Sequence, residues 1–334
     1  MAATDNPEQV ERPHTIGVLL MAYGSPENIE DLEPYLLDIR SGRPVSPELL
    51  DEIRSRYEQI GGRSPLLDLT REQARQLQAE LDARGGDGYF RFRTAVGMRH
   101  WEPRIQSAVE SLAEAGISSL IGLVMAPHSS QMSTGAYHQK LQEAIQTLNL
   151  PVRVIPIRAW HNHPGLIEAI AEKAEAALAK FGDEIPYVVF TAHSLPARIL
   201  SMGDPYDAQL KETARLLAGR LGLQEGRWQF SYQSAGQTAE PWLGPAIEPL
   251  IVELAQAGER NVLLVPIGFV CDHVEVLYDL DIACQRIASE HGIHLERSES
   301  LNASPKFIQT LADVVLEAVA DHFQLAGRGA AQAE

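Results

Sequence analysis

The residues best suited to chemistry stand where apolar runs stop. In VVFTAHSLPARIL, residues 188–200, apolar and β-branched residues lead straight into His193, and Pro196 closes a turn behind it. In LVPIGFVCDHVEVLYDLD, residues 264–281, a second such run opens into Asp272, His273, Glu275, Asp279 and Asp281. A neutral imidazole ligates a borderline divalent metal and accepts a proton near neutral pH, while carboxylates supply hard oxygen ligands or a second base. One His with one Glu makes a weak metal site, and such incomplete ligation suits a protein that hands metal onward rather than storing it. On a helix beginning near His273, Glu275 and Asp279 stand at i and i+4 on one face, with Asp272 and Asp281 nearby, so an acidic track is expected. Structural roles compete with these readings. A strand-end histidine can be a hydrogen-bonded core residue, and an acidic helix face can be ordinary solvated surface. His161 and His163, just before Pro164, fit helix-start chemistry better than a metal tract. His128 stays open between structure and function.

Composition narrows the classes. The 334 residues are 45% hydrophobic, enough to bury a substantial core and most simply divided into two domains. Lys and Arg total 28 against 45 acidic residues, a net charge of −17, which argues against binding nucleic acid through bulk charge. Two cysteines, Cys271 and Cys284, provide neither a disulfide framework nor a four-thiolate cluster, which fits a reducing cytoplasm. The opening MAATDNPEQVERPHT has no apolar leader, and no apolar run reaches the ~18 residues of a membrane span.

The elements that must position these residues alternate. Short β-rich runs at 16–23, 91–97, 119–126, 152–157, 187–192, 228–233, 261–268 and 293–297 are separated by helical patterns at 46–60, 66–84, 102–115, 135–148, 164–181, 206–222, 243–257, 275–291 and 305–323. This is the signature of βαβ units, hence an α/β fold of parallel strands buried on both faces. The halves read as distant copies: VLLMAYGSP answers to VVFTAHSLP, SLIGLVMAPHSS to NVLLVPIGFVCD, and WHNHPGLIEAIA to LNASPKFIQTLA. Two similar doubly wound domains are expected, residues 1–158 and 159–325, each with a four-stranded parallel sheet, the last helix packing back on the first domain. Ligands of such sheets bind beyond the carboxyl ends of the strands, and Tyr23, His128, His193 and Asp272 all fall at such ends.

The motifs GVLLMAYGSP, IRSGRP, RYEQIGGRSPL, VGMRHWEP, APHSS, TAHSLP, GDPY, YQSAGQTAEPWLGP and PIGFVCDHVEVLYDLD, in that order, resemble the ferrochelatase family across nearly the whole chain. The branch it resembles more is that of the coproporphyrin III ferrochelatases, because Tyr23 in MAYGSP stands where enzymes of the animal type typically have Met, and because that type's cluster-binding cysteines and C-terminal membrane-associated segment are missing. The resemblance implies a class II chelatase fold and the insertion of Fe²⁺, the substrate metal, into coproporphyrin III with release of two protons, in haem biosynthesis and with no iron–sulfur cluster. A transient partner enzyme of the haem pathway is implied as well. Protoporphyrin IX or another tetrapyrrole as substrate, or a non-enzymatic haem carrier, are the alternatives.

By the same resemblance His193 and Glu275 act together as catalytic and metal-presenting residues, with His193 as base, metal donor or both. Tyr23 approaches from the other face as axial ligand to product iron. Arg40, Arg56, Tyr57, Ser64 and Tyr137 match the family's porphyrin-contacting positions, where arginine forks and hydroxyls suit propionates. Arg43 and Arg63 are neighbours of that set, and His100 matches a position near the pocket. Ala283 departs from members that carry a further carboxylate four positions after the residue matching Asp279, which puts a tight peripheral metal site in doubt. Tyr232 and Trp242 suit packing as readily as a substrate wall.

Overall fold

The computed structural model describes residues 14–85, 89–236 and 238–331. Residues 1–13, where no apolar leader was expected, and Gln237 of the YQSAGQTAEPWLGP motif lie outside them. Each half of the chain lays four parallel strands in the same spatial order. The first sheet holds β1 (His14–Ala22), β2 (Phe90–Met98), β3 (Ser119–Val124) and β4 (Arg153–Pro156), arranged β2-β1-β3-β4. The second holds β5 (Tyr187–His193), β6 (Trp228–Gln233), β7 (Asn261–Pro266) and β8 (His294–Arg297), arranged β6-β5-β7-β8. All eight expected strands are present within a few residues of their expected limits.

Central strands must bury both faces, which is why they read as continuous apolar runs. In β1, Ile16, Val18, Leu20 and Ala22 join one apolar cluster, while the alternate residues Leu19 and Met21 join another on the opposite face. The first cluster continues through Trp160, Leu166 and Ile170 to Val188, Phe190 and Leu263 of the second half, so the two sheets share one core. Fully burying each such side chain contributes about 1.5–3 kcal/mol, and the shared cluster thereby fixes one sheet against the other.

The helices flank the sheets: α1 (Leu32–Ile39), α2 (Pro47–Gln59), α3 (Leu66–Arg84), α4 (Ile105–Glu114) and α5 (Thr134–Thr147) in the first half; α6 (Pro164–Leu178), α7 (Tyr206–Arg220), α8 (Ile247–Gln256), α9 (Gln285–Glu290) and α10 (Pro305–Ala331) in the second. Helix α10 lies against α3, where Arg84 pairs with Asp313 at 2.6 Å. Among the described residues no helix is long and apolar enough to cross a membrane.

Two departures from expectation bear on function. Helix α1 was not anticipated. The helix expected over 275–291 is instead a π-helix, Val276–Cys284, running into α9. Its i→i+5 bonding is the kind of irregularity that clusters at functional sites.

Candidate active site

The strand orders dictate where a cleft must lie. From β1 the chain crosses to β2 on one side and then returns to β3 on the other, so the segments leaving β1 and β3 diverge at a topological switch point; β5 and β7 repeat this. The cavity found there, about 330 Å³, is lined by Met21–Ser25 at and beyond the end of β1, parts of 124–137 at and beyond the end of β3, His193 at the end of β5, and Gly268–Cys271 and His273–Glu275 after β7. Two glycines permit the close approach. A Cβ on Gly268 would stand 2.5 Å from the Ala192 Cβ, so only glycine lets the segment bearing Glu275 press against the end of β5. Gly24 turns the chain behind Tyr23 at φ +96°, where a Cβ would meet the Trp101 nitrogen at 2.9 Å.

His193 and Glu275, distant in sequence, meet through the adjacency of β5 and β7. The His193 Nδ1–H donates to the Ser194 carbonyl, leaving Nε2 toward Glu275 Oε1 at 3.4 Å. His273, which the sequence reading placed only within the acidic track, does the same from the other side: Nδ1–H donates to the Cys271 carbonyl at 3.0 Å and Nε2 meets Glu275 Oε2 at 3.1 Å. Because a carbonyl only accepts, both Nδ1 atoms carry their hydrogens and both Nε2 atoms address one carboxylate. Burial disfavours charge on His193, but the Glu275 charge and hydrogen bond more than offset it, so the imidazole sits above its ordinary value. Burial likewise opposes charge on Glu275, yet the two imidazoles hold its carboxyl well below the carboxylate range. Tyr206, from the GDPY motif, lines the same cavity and donates its hydroxyl to the His193 carbonyl at 2.9 Å, fixing the strand end.

Across the cavity stands Tyr23. Its ring keeps 40% exposure and packs 4.6 Å from the ring of His100, whose Nδ1 is held by Asp38 at 2.7 Å. The cleft walls push the phenol up to about 12 by desolvation, with the Glu275 charge adding and Arg99 opposing. Ser64 and Tyr137 also line the cavity. Arg40, Arg56 and Tyr57 do not: the Arg40 Nε and the Tyr57 hydroxyl are buried without a hydrogen-bond partner, and Arg56 bonds Glu52 at 2.6 Å. Helix α2 carries Arg56 and Tyr57, and it starts at Ser46, whose hydroxyl caps the Leu49 N–H at 3.3 Å. Arg63 is paired with Asp68, and Arg43 donates to the Arg40 carbonyl at 3.1 Å.

Other expectations sort by their partners. His163 caps α6, accepting from the Gly165 N–H at 3.1 Å, and His161 meets Glu212 at 2.9 Å. His128 is buried, and burial, reinforced by His161, holds it neutral at about 3. The Thr213 hydroxyl hydrogen has the His161 and Gln209 carbonyls to bond, so His128 Nε2–H donates to Thr213 Oγ1 at 2.9 Å and ties the segment after β3 to α7. Tyr232 donates to Asp207 at 2.6 Å, and Trp242 to Thr238 at 2.8 Å. Asp272 and Asp281, expected to extend the acidic track, are instead turned to Arg297, at 3.3 and 2.7 Å. The track reduces to Glu275 and Asp279. Among the described residues no three His, Cys, Asp or Glu side chains converge with metal-holding geometry; the imidazoles and carboxylate bond each other.

The comparison with protein families agrees with this architecture: the ferrochelatase family model matches residues 15–319. The chain belongs to the ferrochelatase family. A ferrochelatase of Deinococcus radiodurans is 42% identical over 90% of this chain and 95% of its own, and a coproporphyrin III ferrochelatase of a Geobacillus species is 41% identical over 91% and 98%. Among solved structures, Bacillus subtilis SirB with Fe³⁺ superposes with a TM-score of 0.58 at 11% identity, covering 93% of this chain and 98% of its own, which speaks for the fold alone. Ferrochelatase membership makes the chain a metal chelatase of haem synthesis, with ferrous iron and a porphyrin as its substrates.

Within this ferrochelatase the buried Asp279 carries a stability cost that pH exposes. It accepts from the Ser234 hydroxyl and lies 3.8 Å from Arg56. Burial pushes its carboxyl up from 3.8 to about 6; Ser234 and Arg56 pull the other way, and the Glu275 charge adds to the rise. A carboxyl raised by folding costs stability that accumulates as pH climbs from its unfolded to its folded value and is complete above the latter. Asp279→Asn is therefore expected to raise the melting temperature by a few degrees at pH 7.5, reflecting ~1–3 kcal/mol, with the gain vanishing near pH 4. Thermal melts at the two pH values check this, and an equal shift at both would refute it.

Proposed function

We propose that this ferrochelatase inserts Fe²⁺ into coproporphyrin III, with residues 1–158 supplying the proximal wall and residues 159–325 the metal side. The observation that carries the reading is the two-sided cavity: a phenol that follows a strand of the first sheet and an imidazole–carboxylate pair from the second half line the same space. Insertion replaces two pyrrole N–H protons by one ferrous ion. His193 Nε2 and Glu275 are the groups on the metal side able to take those protons, and both can guide the incoming cation. Tyr23, beneath the ring, offers a phenolic oxygen to product iron.

The choice of coproporphyrin rests on the hydroxyls and guanidinium groups around the cleft and on relatives bearing that name at 39–41% identity. Relatives named simply ferrochelatase are as similar, at 42%, so protoporphyrin IX is the competing substrate. A site shaped for four propionates leaves polar groups unpaired where protoporphyrin carries vinyls. At ~1–3 kcal/mol per buried group, coproporphyrin should be favoured about tenfold or more in kcat/KM. The measurement is kcat/KM for both porphyrins in matched detergent. Equal efficiency, or a preference for protoporphyrin, would remove the coproporphyrin reading while leaving the family intact, and the absence of insertion with either would favour a haem carrier. We place the reaction in the cytoplasm, where the buried free thiols of Cys271 and Cys284 stay reduced and a transient partner enzyme can receive the product.

A further inference from the structure

Among the described residues lining the cavity, Arg99 is the sole lysine or arginine. Its position follows from strand register. Met98 ends β2 opposite Ala22 of β1, so the next residues, Arg99 and Tyr23, emerge side by side, and the Arg99 N–H donates to the Ala22 carbonyl at 2.9 Å. The guanidinium lies over the ring of Tyr137 at 5.4 Å. It has no carboxylate within ion-pairing distance among the described residues, although acidic residues outnumber basic ones 45 to 28. Arg56, Arg63, Arg104 and Arg198 are paired, to Glu52, Asp68, Asp38 and Glu240, whereas Arg40, whose Nε is buried without a hydrogen-bond partner, lies outside the cavity lining.

A partly enclosed guanidinium without a counter-ion loses solvation that nothing in the fold returns, beyond the modest attraction of one aromatic face. Its planar fork matches a carboxylate in two parallel hydrogen bonds. We propose that Arg99 is a specificity-determining residue that receives one carboxylate of the porphyrin inside the cleft. The proposal rests on the porphyrin reading and extends it. A nearly round macrocycle held by its centre, between Tyr23 and His193, is free to spin in its plane; one internal cation beside Tyr23 sets which edge faces inward. Arg40 and Arg56, outside the cavity lining, cannot supply that constraint from within.

The test is binding of metal-free coproporphyrin III, followed by its fluorescence, to the wild type, Arg99→Met, Arg99→Gln and Arg99→Lys, with the tetramethyl ester in matched detergent as the uncharged control. The two neutral variants are expected to weaken binding of the free acid roughly 10- to 100-fold, Arg99→Lys to recover part of the loss, and the ester to bind all four proteins alike. Unchanged affinity in a folded neutral variant overturns the proposal. So does equal weakening for acid and ester, which would mean that Arg99 acts by packing on Tyr137. Iron insertion by the wild type is measured in parallel. Insertion with no effect of Arg99 defeats this proposal alone, whereas carboxylate-dependent binding without insertion defeats the catalytic reading and leaves Arg99 as receptor.

Discussion

Replacing His193 with alanine is expected to slow iron insertion by a factor of ~10²–10⁴ while the protein stays folded. The imidazole ends a strand whose neighbours on both sides are hydrogen-bonded through the backbone, so its loss leaves β5 in place. What disappears is the Nε2 atom that faces Glu275 at 3.4 Å within the cavity. Fixed in the Nδ1–H tautomer by the Ser194 carbonyl, that atom is a ready proton acceptor whenever the ring is neutral. The Glu275 charge raises the imidazole above 6.5, so the neutral fraction, and with it the insertion rate, should climb through a pH region higher than that of a free histidine. The measurement is initial-rate metalation of coproporphyrin across pH in both proteins, with circular dichroism to verify the fold. A His193→Ala protein that is folded and retains more than about a tenth of the wild-type rate would take His193 out of the chemistry.

The parts of this arrangement that were legible in the sequence are those set by local pattern. Parallel strands buried on both faces announce themselves as apolar runs, so β1 and β7 could be read with their polar exits, and the repeated punctuation of the two halves matches the repeated sheet order. The π-helix was not legible, because i→i+5 and i→i+4 bonding use the same residue types; VLYDLDIAC reads as an ordinary helix. Helix α1 was missed because LEPYLLDI is only eight residues long and carries Pro34 in its first turn. Charge partners were legible only where they are close in sequence. Nothing local tells that Arg297, on β8, takes both Asp272 and Asp281 out of the acidic track, or that Arg56 on α2 reaches Asp279 in the other half. Arg99 was the hardest to see, since what distinguishes it, a place in the cavity lining together with the lack of a carboxylate partner, exists only in three dimensions. His273 carried a usable signal: in DHVE it stands two residues before Glu275, close enough to share that carboxylate.

Glu275→Gln should cost about as much activity as His193→Ala, ~10²–10³-fold, by a different route. The substitution keeps size and shape but removes the charge that both imidazoles address. With Nδ1–H fixed on each ring, a neutral His193 and a neutral His273 both present Nε2 lone pairs; a glutamine amide can donate to one of them through its nitrogen, while its oxygen meets the other lone pair unfavourably. One imidazole is thus left without a proper partner. His193 should fall back toward or below its ordinary value, since burial then acts unopposed by the carboxylate, and the ascending limb of the residual rate should move to lower pH than in the wild type. Stability gives an independent check. The depressed Glu275 carboxyl contributes stability above its unfolded value of 4.5 that is lost as pH falls through its folded value; the raised His193 contributes below its unfolded value of 6.5 and is lost as pH rises through its folded one. Both contributions are present together between pH 4.5 and 6.5, so Glu275→Gln should lower the melting temperature most in that window and less at pH 8. A slowed enzyme whose rate profile stays where the wild type's lies would show that Glu275 guides the cation without setting the charge of His193, and a near-wild-type rate would place proton removal elsewhere in the cleft.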